Sequence, residues 1–123
     1  MKTTPHLQMG NWGETEAATF LEENGYDIVE RNYRAGRAEI DIIAWKNSML
    51  VFVEVKARSY DTLGSPESFV TSKKRSMIAR GAAAYMESIA HDGELRFDII
   101  SILKFKNGKT SLKHYPDAYF PGP

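Results

Sequence analysis

The chain contains no cysteine, which excludes a disulfide framework and any zinc site built on thiolates. That absence also fits a reducing compartment. It lacks an apolar run approaching the roughly eighteen residues of a membrane span, so no membrane partner is expected. The first ten residues, MKTTPHLQMG, have no apolar stretch following Lys2. They do not read as a signal peptide, and a cytoplasmic location is expected. Neither sign of charge predominates: 16 Lys and Arg balance 16 Asp and Glu. Such a balance argues against a protein that coats nucleic acid by bulk electrostatics. It leaves room for a small cleft in which a bound cation offsets acidic residues. His6, His91 and His114 are scattered, with no pair at a metal-ligand spacing. There is no internal repeat, low-complexity block, Gly-rich phosphate loop or Ser/His/Asp arrangement.

What is present is an ordinary globular composition, 42% hydrophobic and 26% charged over 123 residues. One domain over 1–123 is expected, with 1–9 and 116–123 as tails. Asn11 followed by Glu14 resembles a capping box, and Ala17, Ala18 and Leu21 mark an apolar helix face that ends near Gly25. YDIVERNYR, EIDIIAW and MLVFVEVKAR read as three strands, the last two paired as a hairpin across KNS. SYDTLGSPES reads as a loop. A helix is expected from about Thr71 to Ala90, with Ile78, Ala82, Tyr85 and Ile89 as its buried stripe. RFDIISILKF and TSLKHY then form two more strands around the turn Asn107-Gly108. The expected order is α-β-β-β-α-β-β, a mixed α/β domain.

Acidic residues interrupt the strands that should be most buried. Alternation places Asp41 on one face with Glu39, and Ile40 and Ile42 on the other. In the next strand Glu54 and Lys56 share a face, opposite Val51, Val53 and Val55. In a suitable hairpin register Asp41, Glu54 and Lys56 converge. Two carboxylates about 4 Å apart repel by roughly 4 kcal/mol at an effective dielectric near 20. A shared proton, a basic partner such as Lys56, or a metal ion must relieve that repulsion. Oxygen ligands without Cys or clustered His favour a hard cation such as Mg²⁺.

Asp41 followed by Glu54-Val55-Lys56 resembles the PD-(D/E)xK nuclease signature. More narrowly, GETEA, ERN, AEIDIIA, VFVEVKAR and RFDII, in that order, resemble the YraN-type family of small bacterial endonuclease-like proteins, an uncharacterised protein family. The resemblance extends from about Gly13 to Ile102. It implies a restriction-endonuclease-like fold related to Holliday junction resolvases. It also implies a Mg²⁺-dependent (or Mn²⁺-dependent) endonuclease acting on DNA, with branched or flap DNA as candidate substrates in repair or recombination. Under that resemblance Asp41 and Glu54 are metal ligands, Glu14 completes the metal site, and Lys56 positions the attacking water. Glu39 is a further acidic candidate. The family usually has Gly directly before EID, where this chain has Ala38, so Gly36 is left to supply any positive φ in the turn. The alternative function is a non-catalytic nucleic-acid-binding or partner-binding module that keeps the fold. A two-fold junction substrate would suit a homodimer.

Lys73, Lys74 and Arg75, at the start of the second helix, and Arg58, just after the acidic strand, are the candidate phosphate contacts. The plain alternative for the first three is a solvated helix face. Arg31, Arg34 and Arg37 flank the turn before EID and read as surface charges. Asp98 is expected to pair with Arg96 or with a base from elsewhere.

Overall fold

A computed structural model describes residues 5–59 and 70–121, with side chains from Asn11 onward. Most of the expected loop SYDTLGSPES lies outside the described residues. The elements are α1 (Pro5–Glu23), β1 (Asp27–Ala35), β2 (Ala38–Lys46), β3 (Met49–Ser59), α2 (Ser72–Ser88), β4 (Leu95–Lys104) and β5 (Thr110–Tyr115). This is the expected order. The five strands form one sheet in the order β1-β2-β3-β4-β5. Pairs β1–β2, β2–β3 and β4–β5 are antiparallel, while β3 and β4 run parallel. A parallel pair requires a crossover, which α2 provides.

Each helix covers one face of the sheet. Ala17, Ala18 and Leu21 of α1 pack on Ile42, Val51, Val53, Ile100 and Ile102. Ile78, Ala82 and Tyr85 of α2 pack on Ile40, Ile43, Leu50, Phe52, Phe97 and Ile99. Burial on both faces explains why β3 opens as an unbroken apolar run, MLVFV, instead of alternating. Among the described residues no helix is long and apolar enough to cross a membrane.

Several boundaries differ from expectation. α1 begins at Pro5, not Asn11, so residues 5–9 are helical rather than a tail. Proline suits a first helical position, where its missing N–H has no partner to lose. The Asn11–Glu14 spacing falls inside the helix, where Thr15 Oγ1 donates to the Asn11 carbonyl at 3.1 Å. Gly25 (φ 85°) does end α1, with the Tyr26 amide donating back to the Leu21 carbonyl at 2.9 Å. Ile89 leaves the expected stripe of α2 and is 40% exposed at the C-cap. Gly81 joins the stripe instead, close enough that a Cβ there would lie 3.1 Å from that of Ala38. The segment expected as a C-terminal tail is docked: the Ala118 amide donates to the Phe97 carbonyl, and Tyr119 is buried beside Phe97.

Candidate functional site

β2 and β3 pair from Lys46↔Met49 as far as Ile42↔Val53, and then the ladder stops. Asp41 stands at this fork. Its Oδ2 accepts the Val55 N–H at 2.7 Å, so a side-chain carboxylate satisfies an amide that the ladder leaves open. The expected face assignment needs correction here. Ile40 belongs to the α2-side cluster and Ile42 to the α1-side cluster, so alternation breaks at Asp41. On β1, Asn32 takes a φ of 53° between the pairs Arg31↔Ile42 and Tyr33↔Ile40, directly across from Asp41. Asparagine tolerates that left-handed conformation better than most residues. Both edges of the pair are therefore irregular at one level, and Asp41 leaves the regular pleat.

Glu54 follows Val53, the last residue of β3 paired with β2, and its side chain is only 7% exposed. Its carboxyl lies within hydrogen-bond reach of the Asp41 carboxyl. It also pairs with the Lys74 ammonium, delivered from the first turn of α2. Thr71 caps that turn, its side chain accepting the Lys74 N–H at 3.2 Å. Of the three reliefs open to two adjacent carboxylates, the fold supplies a basic partner, and it is Lys74 rather than Lys56. Lys56 is exposed and makes no ion pair among the described residues.

The electrostatics follow from this crowding. Burial pushes Glu54 up to about 7, the Asp41 charge adds to the rise, and Lys74 opposes it. Burial likewise raises Asp41, against the hydrogen bond from Val55 and the charge of Lys74. For Lys74 burial acts downward, but the charge and hydrogen bond of Glu54, with Asp41 and Glu39 behind it, hold the ammonium above its usual range.

Glu14 reaches the same region from α1. Gly13 lies so close to β3 that a Cβ would overlap that of Ala57, so only glycine lets the helix settle there. Glu14 is pushed up to about 7 by burial and by the Asp41 charge, with Arg31 opposing and Glu39 adding. Its Oε1 is buried and has no hydrogen-bond partner among the described residues.

The remaining candidates separate. Glu39 is exposed, and its Oε2 is 3.5 Å from Arg34. Lys73 is exposed on the first turn of α2. Arg75 turns inward: its Nε donates to the Val70 carbonyl at 3.0 Å, and its guanidinium lies 5.2 Å over the Tyr119 ring. Arg58 is half-buried on β3 across from Leu103. Ala38 keeps ordinary strand geometry, and Gly36 supplies the positive φ (61°) of the turn before it.

One neighbour escaped the sequence reading. Burial and the charge of Glu54 raise the Tyr119 phenol, with Asp41 contributing and Arg75 opposing, which places the docked C-terminal segment beside the acids. A tyrosine in a short Pro-rich segment carries no periodic signal that could have flagged it.

Asp98 belongs to a different network. Its carboxylate accepts two bonds from Arg96 (2.8 and 2.7 Å) and contacts His114 Nε2 at 2.7 Å; the Asp117 amide donates to it at 3.0 Å. Arg96 also donates to the Tyr26 hydroxyl. This fully buried carboxylate ties β4 to β5 and to the chain after α1.

As donors, Asp41 and Glu54 suit a hard cation: adjacent, oxygen-only and electrostatically under-compensated. Among the described residues no three His, Cys, Asp or Glu side chains stand together as a ligand set, so Glu14 is near the pair without completing it.

A mixed sheet covered by a helix on each face, with an acidic pair at a strand fork, defines the class. The chain belongs to the uncharacterised protein family UPF0102, which it matches over residues 13–102. This agrees with the resemblance read from its motifs. It is 45% identical over 97 residues to a UPF0102 protein of Cytophaga hutchinsonii, covering 79% of this chain and 86% of that one. It is 41% identical over 115 residues to one from Christiangramia forsetii (94% and 96% covered). With one from Chlorobium phaeobacteroides it shares 42% over 125 residues (97% and 98%). Among solved structures, SfsA of Pyrococcus furiosus in complex with Ca²⁺ superposes with a TM-score of 0.39 at 15% identity. That alignment covers 89% of this chain and 63% of the other, and a likeness so remote carries no functional argument.

Proposed function

We propose that the protein is a Mg²⁺-dependent phosphodiesterase acting on DNA, with branched or flap structures as its preferred class. The observation that carries this reading is the meeting of the Asp41 and Glu54 carboxyls at the β2–β3 fork. A hard divalent ion held by that pair would neutralise phosphate charge and lower the pKa of the attacking water. The chain's own groups divide the remaining work. Asp41 is held in place by the Val55 amide. Lys56, exposed two residues beyond Glu54, orients the water and meets negative charge as it develops on phosphorus-bound oxygen. Glu14 offers, at the margin of the pair, an oxygen that is unpartnered among the described residues. Lys73, exposed on α2, and Arg58 are the residues proposed to meet backbone phosphates, which demand cations but no base-reading geometry. Action on a two-fold junction would suit a dimer, testable by sedimentation.

Cleavage of labelled duplex, single-stranded, flap and four-way DNA with Mg²⁺ or Mn²⁺ tests the reading. Wild type should cut at least one substrate, and Asp41→Ala and Lys56→Ala should each lose most of that activity. Cutting that survives in both variants would assign the chemistry elsewhere.

One observation favours a second reading, a DNA- or partner-binding module without turnover. Lys74 already compensates Glu54 with no metal needed. That reading expects salt-dependent binding of branched DNA and no cutting with any divalent ion.

A further inference from the structure

We propose that Lys74 is a built-in counter-ion of the Asp41–Glu54 pair, which a divalent cation must displace in order to bind. The inference rests on the metal reading above and extends it to a residue outside the strand signature.

Lys74 pairs directly with a Glu54 side chain that is 7% exposed, while its own side chain is 43% exposed. One end of the ion pair is thus fixed in the protein, and the other has open space to move into. The cap from Thr71 fixes the Lys74 backbone, so only its flexible stem needs to swing. Asp41 and Glu39 also attract this ammonium, while Arg34 pairs separately with Glu39. Lys56 makes no ion pair among the described residues and does not share this task.

A divalent ion seated on Asp41 and Glu54 and the ammonium on Glu54 would be like charges competing for one carboxylate oxygen. Binding of the ion therefore expels the amine toward solvent. There it remains tethered within reach of the pocket, where phosphate oxygens of a substrate would need a partner. Lys74 in this account sets metal affinity first and contacts substrate second.

The test is calorimetric titration of Mn²⁺ into wild type, Lys74→Gln, Lys74→Arg and Asp41→Asn, with no DNA present. Removing the competitor should tighten binding roughly two- to fivefold in Lys74→Gln, the upper part of the range expected for a partly exposed ion pair. Lys74→Arg should stay near wild type. In the wild-type protein, labelling of the Lys74 amine, mapped by mass spectrometry, should rise as Mn²⁺ is added. That readout separates displacement from a general field effect and does not depend on any variant folding. Labelling indifferent to Mn²⁺, or binding no tighter in Lys74→Gln, would overturn the inference alone, provided Asp41→Asn abolishes binding. Wild-type binding that Asp41→Asn leaves intact would instead overturn the metal reading and this inference with it.

Discussion

Burial and mutual repulsion hold Glu14 and Glu54 at about 7 and raise Asp41, so this cluster changes charge in the neutral range. Between the ordinary carboxyl value near 4.5 and about 7, the folded chain binds more protons here than the unfolded chain does. Their contribution to stability is therefore full below about 4.5 and is lost as pH rises through about 7. Urea midpoints in metal-free buffer should fall between pH 5 and pH 8, and Glu54→Gln should flatten that decline. Asp98 has the opposite sign. Burial alone would raise it, but His114, Arg96 and the Asp117 amide outweigh burial and hold it below the usual carboxylate range. Its contribution is present above the unfolded value and is lost as pH falls through the folded one. Asp98→Ala leaves Arg96 and His114 without their shared partner and should cost about 3–5 kcal/mol in urea unfolding at pH 7. The sequence offered Arg96 or a base from elsewhere as the partner of Asp98, and the fold supplies both. It could not show His114, which only the β4–β5 register brings near.

At the level of elements, two close approaches place the acids. α1 meets β3 at Gly13, and Gly13→Ala should destabilise by about 1–3 kcal/mol because the new methyl collides with the Ala57 methyl. The same substitution should also lower the Glu14 pKa, read by carboxyl NMR, as the helix backs away from Asp41. α2 presents Lys74 from a Thr71 cap, and Thr71→Ala should cost about 1 kcal/mol. Periodicity and turn residues made both helices, all five strands and two of the three hairpins legible, because those signals are local. Two of the failures have local causes too. Asn11 mimicked a cap because its spacing to Glu14 also occurs within a helix. The face of Asp41 was misjudged because alternation fails where β1 and β2 twist together around Asn32. Lys74 lies 20 residues after Glu54, on the crossover helix α2, so no strand pattern could pair them. The meeting of Asp41 with Glu54 was legible, since a hairpin places those residues opposite one another at the end of their ladder.

For the whole molecule, zero formal net charge means that nucleic-acid binding would depend on a local cationic patch. Affinity for branched DNA should accordingly show a shallow salt slope, reflecting few phosphate contacts, and Lys73→Ala should make it shallower still. A sheet covered on both faces gives the acidic fork a rigid frame, because the carboxylates interrupt the core strands instead of hanging on a loop. The central claim is that the Asp41 and Glu54 carboxyls together receive a hard divalent ion. Isothermal titration of Mg²⁺ into the wild type and the Asp41→Asn/Glu54→Gln double variant tests it most directly. A saturable heat in the wild type that vanishes in the double variant is the predicted result. Equal heats in both proteins, or none in a folded wild type, would contradict it.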